Sequence, residues 1–217
     1  MGKRKLILGL FVLVVVLDIV GILTGNQLMR LVFKPLIILV LMMYYSVIVE
    51  PENKLYLAVL FFSFLGDVFL LFDSKMNFML GLASFLIAHI LLIKIVVGVL
   101  KKSSIRQKLI AIIPFAITFF GLIFLLKDNL GELLIPVIVY ALIITVFGVV
   151  SFLNYLTDKS VPNLLLLGGA TFFILSDSTL AINKFYQSET YFPVFIMITY
   201  VLAEYLICRF MIFEGKK

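Results

Sequence analysis

Of 217 residues, 64% are hydrophobic and 14% charged, with a mean hydropathy of +1.23. A soluble domain is about half apolar and about a quarter charged, so this mixture belongs to a membrane protein. The net charge of +6 would suit a nucleic-acid binder in a soluble chain, but the cations stand mainly between apolar runs, where they set topology, and no nucleic-acid partner is expected. The one cysteine, Cys208, excludes an internal disulfide and a thiolate metal cluster, and a single histidine argues against a zinc or haem site, so no metal or cofactor is expected.

The chain opens with Lys3-Arg4-Lys5 ahead of an apolar run that carries no small-residue cleavage site. It is expected to remain as a first span that also targets the chain. A spanning helix needs about 20 apolar residues. Charge, Pro, Gly and Asn divide the sequence into eight such stretches: 6–24, 32–49, 54–72, 77–98, 108–126, 132–154, 163–184 and 191–212. The predicted fold class is therefore an all-α membrane protein of eight helices in a single domain, residues 1–217.

Orientation follows from the connections. One side carries Lys3, Arg4, Lys5, Lys54, Lys101, Lys102, Arg106, Lys108, Lys159, Arg209, Lys216 and Lys217; the other carries Arg30, Lys34, Lys75, Lys127 and Lys184. The excess places both termini in the cytoplasm, as an even number of spans requires, and suits a bacterial cytoplasmic membrane. All connections are short, so any site must lie between helices.

The third stretch holds FFSFLGDVFLL and the seventh TFFILSDSTLAI, each an aromatic pair ahead of a small residue and an Asp. The second and sixth stretches each have an early proline, Pro35 and Pro136. These parallels suggest two parallel four-helix repeats, 1–100 and 105–217.

Five ionisable residues fall deep inside the apolar stretches, away from their ends: Asp18, Asp67, His89, Asp177 and Glu204. A carboxylate at mid-bilayer costs at least ~2.5–3.5 kcal/mol, so it tends to face inward and to serve function. At about 1.5 Å per residue, Asp67 and Asp177 both lie roughly 20 Å from the cytoplasmic edge, and Asp18 near that level. His89 and Glu204 fall roughly 10 Å from the same edge of a ~30 Å core. Two nearby carboxylates in low dielectric do not both ionise easily, so such a pair offers a general acid and a general base together.

Plain structural roles compete with chemical ones. Asp18, with Gly21 and Gly25 on its face, suits a hydrogen bond to a neighbouring helix. His89 and Glu204, the latter with Tyr200 one turn earlier, suit interhelical bonds as well as chemistry. Ser63, one turn before Asp67, reads as a hydrogen-bonding residue and not a nucleophile. Ser176 and Ser178 flank Asp177 but point from other faces of its helix. Gly81, Ser84 and Ala88 form a small-residue stripe for close packing. No G-x-S-x-G string or P-loop occurs.

GDVFLLF followed by FMLGLASFLIAHILLI, then LSDSTLAINKF and YVLAEYLI, resembles the YhhN-like family, the lysoplasmalogenases, in motif and in order; Lys34-Pro35 is similar to that family's pattern too. The resemblance covers essentially the whole chain. It implies hydrolysis of the vinyl ether bond of a lysoplasmalogen, giving a fatty aldehyde and glycerophosphoethanolamine or glycerophosphocholine. It further implies that the catalytic aspartates are Asp67 and Asp177, with Ser176, Ser178, Asn183 and His89 at matching motif positions. Lys184 or Asn183 could meet a headgroup phosphate. The apolar flanks Leu65, Val68 and Phe69 favour Asp67 as the acid.

Two other functions fit some of the same residues. In a proton-coupled transporter of small molecules or lipids the carboxylates form a relay, although no stretch shows the mid-helix break of discontinuous transport helices. In an intramembrane aspartyl protease Gly66-Asp67 would be half of a Gly-x-Gly-Asp motif, but Phe64 stands where the first glycine should be and no Tyr-Asp partner occurs.

Overall fold

The computed structural model describes residues 2–215, and all regular structure among them is helical. Eight helices follow in order: α1 (Gly2–Leu23), α2 (Gln27–Ser46), α3 (Lys54–Phe69), α4 (Lys75–Val99), α5 (Ile105–Leu126), α6 (Leu134–Thr157), α7 (Val161–Phe185) and α8 (Phe192–Glu214). Seven of them, all but α3, are long and apolar enough to cross a membrane. Helix α3 has 16 residues, about 24 Å at ~1.5 Å per residue, short of a ~30 Å hydrocarbon core. Large apolar side chains such as Ile117 (68% exposed), Phe120 (68%) and Phe124 (75%) stand outward, which is what a helix presents to lipid. The chain is a multi-pass membrane protein.

The helices gather into two compact units. One holds α1, α2, α3, α4 as far as Ala88 and α8 from Met211; the other holds His89–Phe210.

In the first unit α1 and α2 form a tight helical hairpin. Gly25, at φ +64°, ends α1 in the left-handed conformation, where a side chain would be strained. The Asn26 N–H bonds the Gly21 carbonyl (2.9 Å) and the Gly25 N–H that of Ile22 (3.2 Å), the paired closure of a Schellman ending. Asn26 then caps α2, its side chain accepting from the Met29 N–H at 3.1 Å. Helix α2 continues through Pro35, which has no N–H to give the Leu31 carbonyl. Asn53 caps α3 through the Leu55 and Tyr56 N–H groups. Helices α3 and α4 approach closely at two glycines: a Cβ on Gly66 would lie 2.5 Å from the Phe85 ring, and one on Gly81 2.9 Å from Leu70. Gly81 thus serves the close packing its stripe predicts.

In the second unit the α5 start is fixed by a capping box, Ser104 with Gln107. Gln107 also donates to the Leu156 carbonyl at 2.8 Å, and Lys101 pairs with Asp158 at 2.8 Å. Asn154 donates to Asn163 (3.0 Å) and Asn163 to the Asp158 carbonyl (2.8 Å), tying α6 to α7. Along α6 and α7, Gly148 admits Phe115 and Ile174, while Gly169 admits Ile207 of α8.

Candidate functional site

Each unit surrounds one of the two sequence-predicted aspartates with its own partners. In the first unit Asp67 occupies the last turn of α3 and is 1% exposed. Lys34, in the second turn of α2, is also buried, and its Nζ lies 3.6 Å from Asp67 Oδ1. The neighbouring Gly66 leaves room for Phe85, so the α3 end beside the carboxyl is packed against α4. Ser63, one turn earlier, is buried as well. Lys34 and Asp67 form a buried ion pair, which is stable only while both partners are present. Asp18 of α1 is fully buried in the same unit.

In the second unit the Tyr140 hydroxyl of α6 donates a hydrogen bond to Asp177 Oδ2 of α7. Asp177 is only half-buried, unlike Asp67. The fully buried His89 imidazole meets three aromatic rings edge-on: Phe173 at 4.8 Å, Phe147 at 5.6 Å and Tyr140 at 5.8 Å between centroids. Phe173 in turn meets Tyr200 at 5.6 Å. His89, Tyr140 and Tyr200 therefore belong to one aromatic cluster around the residue that holds Asp177.

The remaining predicted residues take various places. Ser176 is buried and donates to the Ile196 carbonyl at 3.1 Å, so its hydroxyl joins α7 to α8. Ser178 is half-buried beside Asp177. Asn183 accepts from the Ser188 hydroxyl at 3.1 Å near the end of α7, and Lys184 is exposed in the last turn. Glu204 is 1% exposed on α8, one turn beyond Tyr200. Among the described residues, no three His, Cys, Asp or Glu are grouped as metal ligands would be.

Sequence reasoning counted Lys34 as a topology signal and a family match, and passed over Tyr140. Both left a trace. Lys34 lies inside a 20-residue helix that is otherwise apolar after Arg30, where a cation needs an internal partner. Tyr140 is the hydroxyl-bearing ring in an apolar stretch of α6, and a buried Tyr O–H usually finds an acceptor.

The two carboxyl groups thus differ in surroundings: one is enclosed with an ammonium, the other is half-open with a phenol. Unlike surroundings of this kind give two carboxyls different proton-transfer roles. Neither a curated protein nor a solved structure matches the chain. The model of the YhhN family matches residues 29–211, a stretch that contains Lys34, Asp67, His89, Tyr140 and Asp177, and the chain belongs to the YhhN family.

Proposed function

We propose that this protein hydrolyses the vinyl ether bond of lysoplasmalogens within the membrane, using Asp67 and Asp177 as its acid/base residues. The observation that carries the reading is the unlike partnering of two intramembrane carboxyls, Asp67 with Lys34 and Asp177 with Tyr140, in a chain of this family. The chemistry needs a proton donor, a base for water and negative charge beside a developing cation.

In the reaction, Asp177 delivers its proton to the β-carbon of the alkenyl group, and the C=C electrons form the new C–H bond. The α-carbon becomes an oxocarbenium ion. Water adds to that carbon as Asp67 accepts its proton, giving a hemiacetal. The hemiacetal collapses to a fatty aldehyde and the glycerol hydroxyl of a glycerophospholipid headgroup. In that collapse Asp67 gives its proton to the leaving glycerol oxygen as the C–O bond breaks, and Asp177 takes the proton of the hemiacetal hydroxyl as the C=O bond forms, so both carboxyls return to their starting states, one water is consumed and no redox partner is needed. Apolar flanks alone favour Asp67 as the acid; its lysine counter-ion favours Asp67 as the carboxylate instead, and leaves the donor role to Asp177. Tyr140 donates to Asp177 Oδ2, which leaves the other oxygen to carry the transferable proton.

The excess of cations on one side supports cytoplasmic termini in a cytoplasmic membrane. The substrate's alkenyl chain would lie among lipid-facing helices with its headgroup near Asn183 and Lys184.

The test is aldehyde release by the purified protein from alkenyl-lysophosphoethanolamine, beside Asp67→Asn and Asp177→Asn. The expected result is aldehyde from wild type and a loss of ~10²–10⁴-fold in each variant. A folded wild type that releases no aldehyde but moves solute with a proton gradient would assign the carboxylates to transport.

A further inference from the structure

The end of the second unit where α4 stops, α5 starts, α6 stops and α7 starts carries Lys101, Lys102, Arg106, Lys108 and Lys159. Asp158 is the one carboxylate in the two connections that meet there, 100–104 and 158–160. We propose that this end binds an anionic phospholipid, its phosphate held by Lys102, Arg106 and Lys159 and an acyl chain lying along the outer face of α5.

The two connections are clasped together. Lys101 pairs with Asp158 at 2.8 Å. Gln107, in the first turn of α5, completes the capping box with Ser104 and donates to the Leu156 carbonyl of α6 at 2.8 Å. Behind them the buried Asn154 and Asn163 bond each other, and Asn163 donates to the Asp158 carbonyl at 2.8 Å. Lys102 and Lys159 are the chain neighbours of Lys101 and Asp158, so the clasp fixes both beside one ion pair. Cations ordered before a ligand arrives lose less freedom on binding it.

Charge is left over at this junction. Lys101 uses the one carboxylate. Among the described residues Lys102, Arg106, Lys108 and Lys159 form no ion pair, and all four are exposed. Helices α5 and α7 both begin here, so the positive ends of two helix dipoles add to the cations. Membrane topology asks only for cations on one side, and loose loops would serve it as well as a clasped junction.

The face of α5 below the cations sets the shape of the ligand. Arg106 shares that face with Leu109, Ile110, Ile113 and Ile117, all exposed. The guanidinium, whose fork suits a phosphate, therefore heads an apolar stripe that runs roughly 16 Å from residue 106 to residue 117, about the depth of one leaflet of a ~30 Å core. A negative head on a hydrocarbon tail matches both parts at once. A free phosphate or an acidic peptide would match only the first.

The test is the unfolding midpoint of the full chain in zwitterionic detergent, titrated with dioleoylphosphatidylglycerol, dioleoylphosphatidylcholine or glycerol 3-phosphate. The midpoint should rise with phosphatidylglycerol alone, and its dependence on lipid concentration gives an apparent affinity. The triple variant Lys102→Gln/Arg106→Gln/Lys159→Gln should weaken that affinity about 100-fold, or about fivefold per cation. The same change of charge made elsewhere, by Lys3→Gln/Arg4→Gln/Lys5→Gln, should leave it within twofold. A wild type that responds equally to phosphatidylcholine overturns the proposal, as does one that responds to neither lipid. So does a loss in the cluster variant no larger than that in the control, which would make the effect one of net charge. An equal response to glycerol 3-phosphate would assign the cluster to a free phosphate and overturn the lipid. If the triple variant does not fold, Arg106→Gln and Lys159→Gln take its place singly, each expected at about fivefold. No turnover is read, so the result is independent of the vinyl ether reading.

Discussion

Replacing Tyr140 with Phe tests the hydrogen bond between Tyr140 and Asp177 directly. The ring stays, so its edge-on contact with His89, at 5.8 Å between centroids, is retained; only the hydroxyl donor to Asp177 Oδ2 is lost. A hydrogen bond to a charged or proton-sharing group contributes about 1.5–3 kcal/mol. If that bond holds Asp177 in the orientation from which it transfers its proton, the loss appears in the barrier. At ~1.36 kcal/mol per tenfold, kcat should fall by about 10- to 150-fold. KM should hardly move, since no contact with lipid is removed. The assay is aldehyde release over a range of lysolipid concentrations, beside the unfolding midpoint of each variant. In a chain that already carries Asp177→Asn, Tyr140→Phe should cost almost nothing further. A kcat within twofold of wild type would refute the reasoning, and so would a loss that persists unchanged in the Asp177→Asn background. Either result would make the Tyr140 bond a structural one.

Gly66→Ala should destabilise the protein by about 1–3 kcal/mol, the usual range for overpacking, because its Cβ would lie 2.5 Å from the Phe85 ring; adding Phe85→Leu should restore much of the unfolding midpoint, and an unaltered midpoint for Gly66→Ala alone would contradict the close approach of α3 and α4. Topology is tested with single cysteines at Glu52, Ser74 and Ser103 and a membrane-impermeant thiol reagent on intact cells, the buried Cys208 staying unlabelled. If α3 crosses the membrane despite its 16 residues, Ser74→Cys labels from outside while Glu52→Cys and Ser103→Cys do not; labelling of residues 52 and 74 from the same side would make α3 re-entrant.

The helices were legible in the sequence because hydrocarbon imposes one solution on the backbone: every N–H and C=O must be bonded within its own segment. Apolar runs between charges therefore mark α1–α8 to within a few residues. The ends needed more. Helix α3 stops at Phe69, although its apolar run continues to Phe72, because hydropathy records what lipid tolerates and not where the i→i−4 ladder closes. Of the site, the five ionisable groups deep in apolar runs were legible because each is costly there. Their partners were not. Lys34 stands near a helix end, where a lysine ordinarily extends to the membrane surface, and only the placement of α3 against α2 turns it inward to Asp67. Tyr140 looks like any aromatic residue until α6 and α7 set its hydroxyl against Asp177. Ser176 shows the reverse case: its motif suggests chemistry, while its hydroxyl is bonded to the Ile196 carbonyl.

A bundle selected only for stability would have little use for these carboxyls. Each costs at least ~2.5–3.5 kcal/mol at the centre of a span, and a leucine in its place would pack without a partner. Pairing alone does not account for them, since replacing a buried ion pair by well-packed apolar residues is often neutral or stabilising. What selection for stability leaves unexplained is the difference between the partners. An ammonium beside Asp67 compensates a negative charge and so suits a carboxylate that receives a proton. A phenol beside Asp177 orients a carboxyl without supplying a charge, and so suits one that gives its proton away. Acid-catalysed addition of water to an enol ether needs one of each. The contrast between Lys34 at Asp67 and Tyr140 at Asp177 is thus the feature on which the proposed hydrolysis rests.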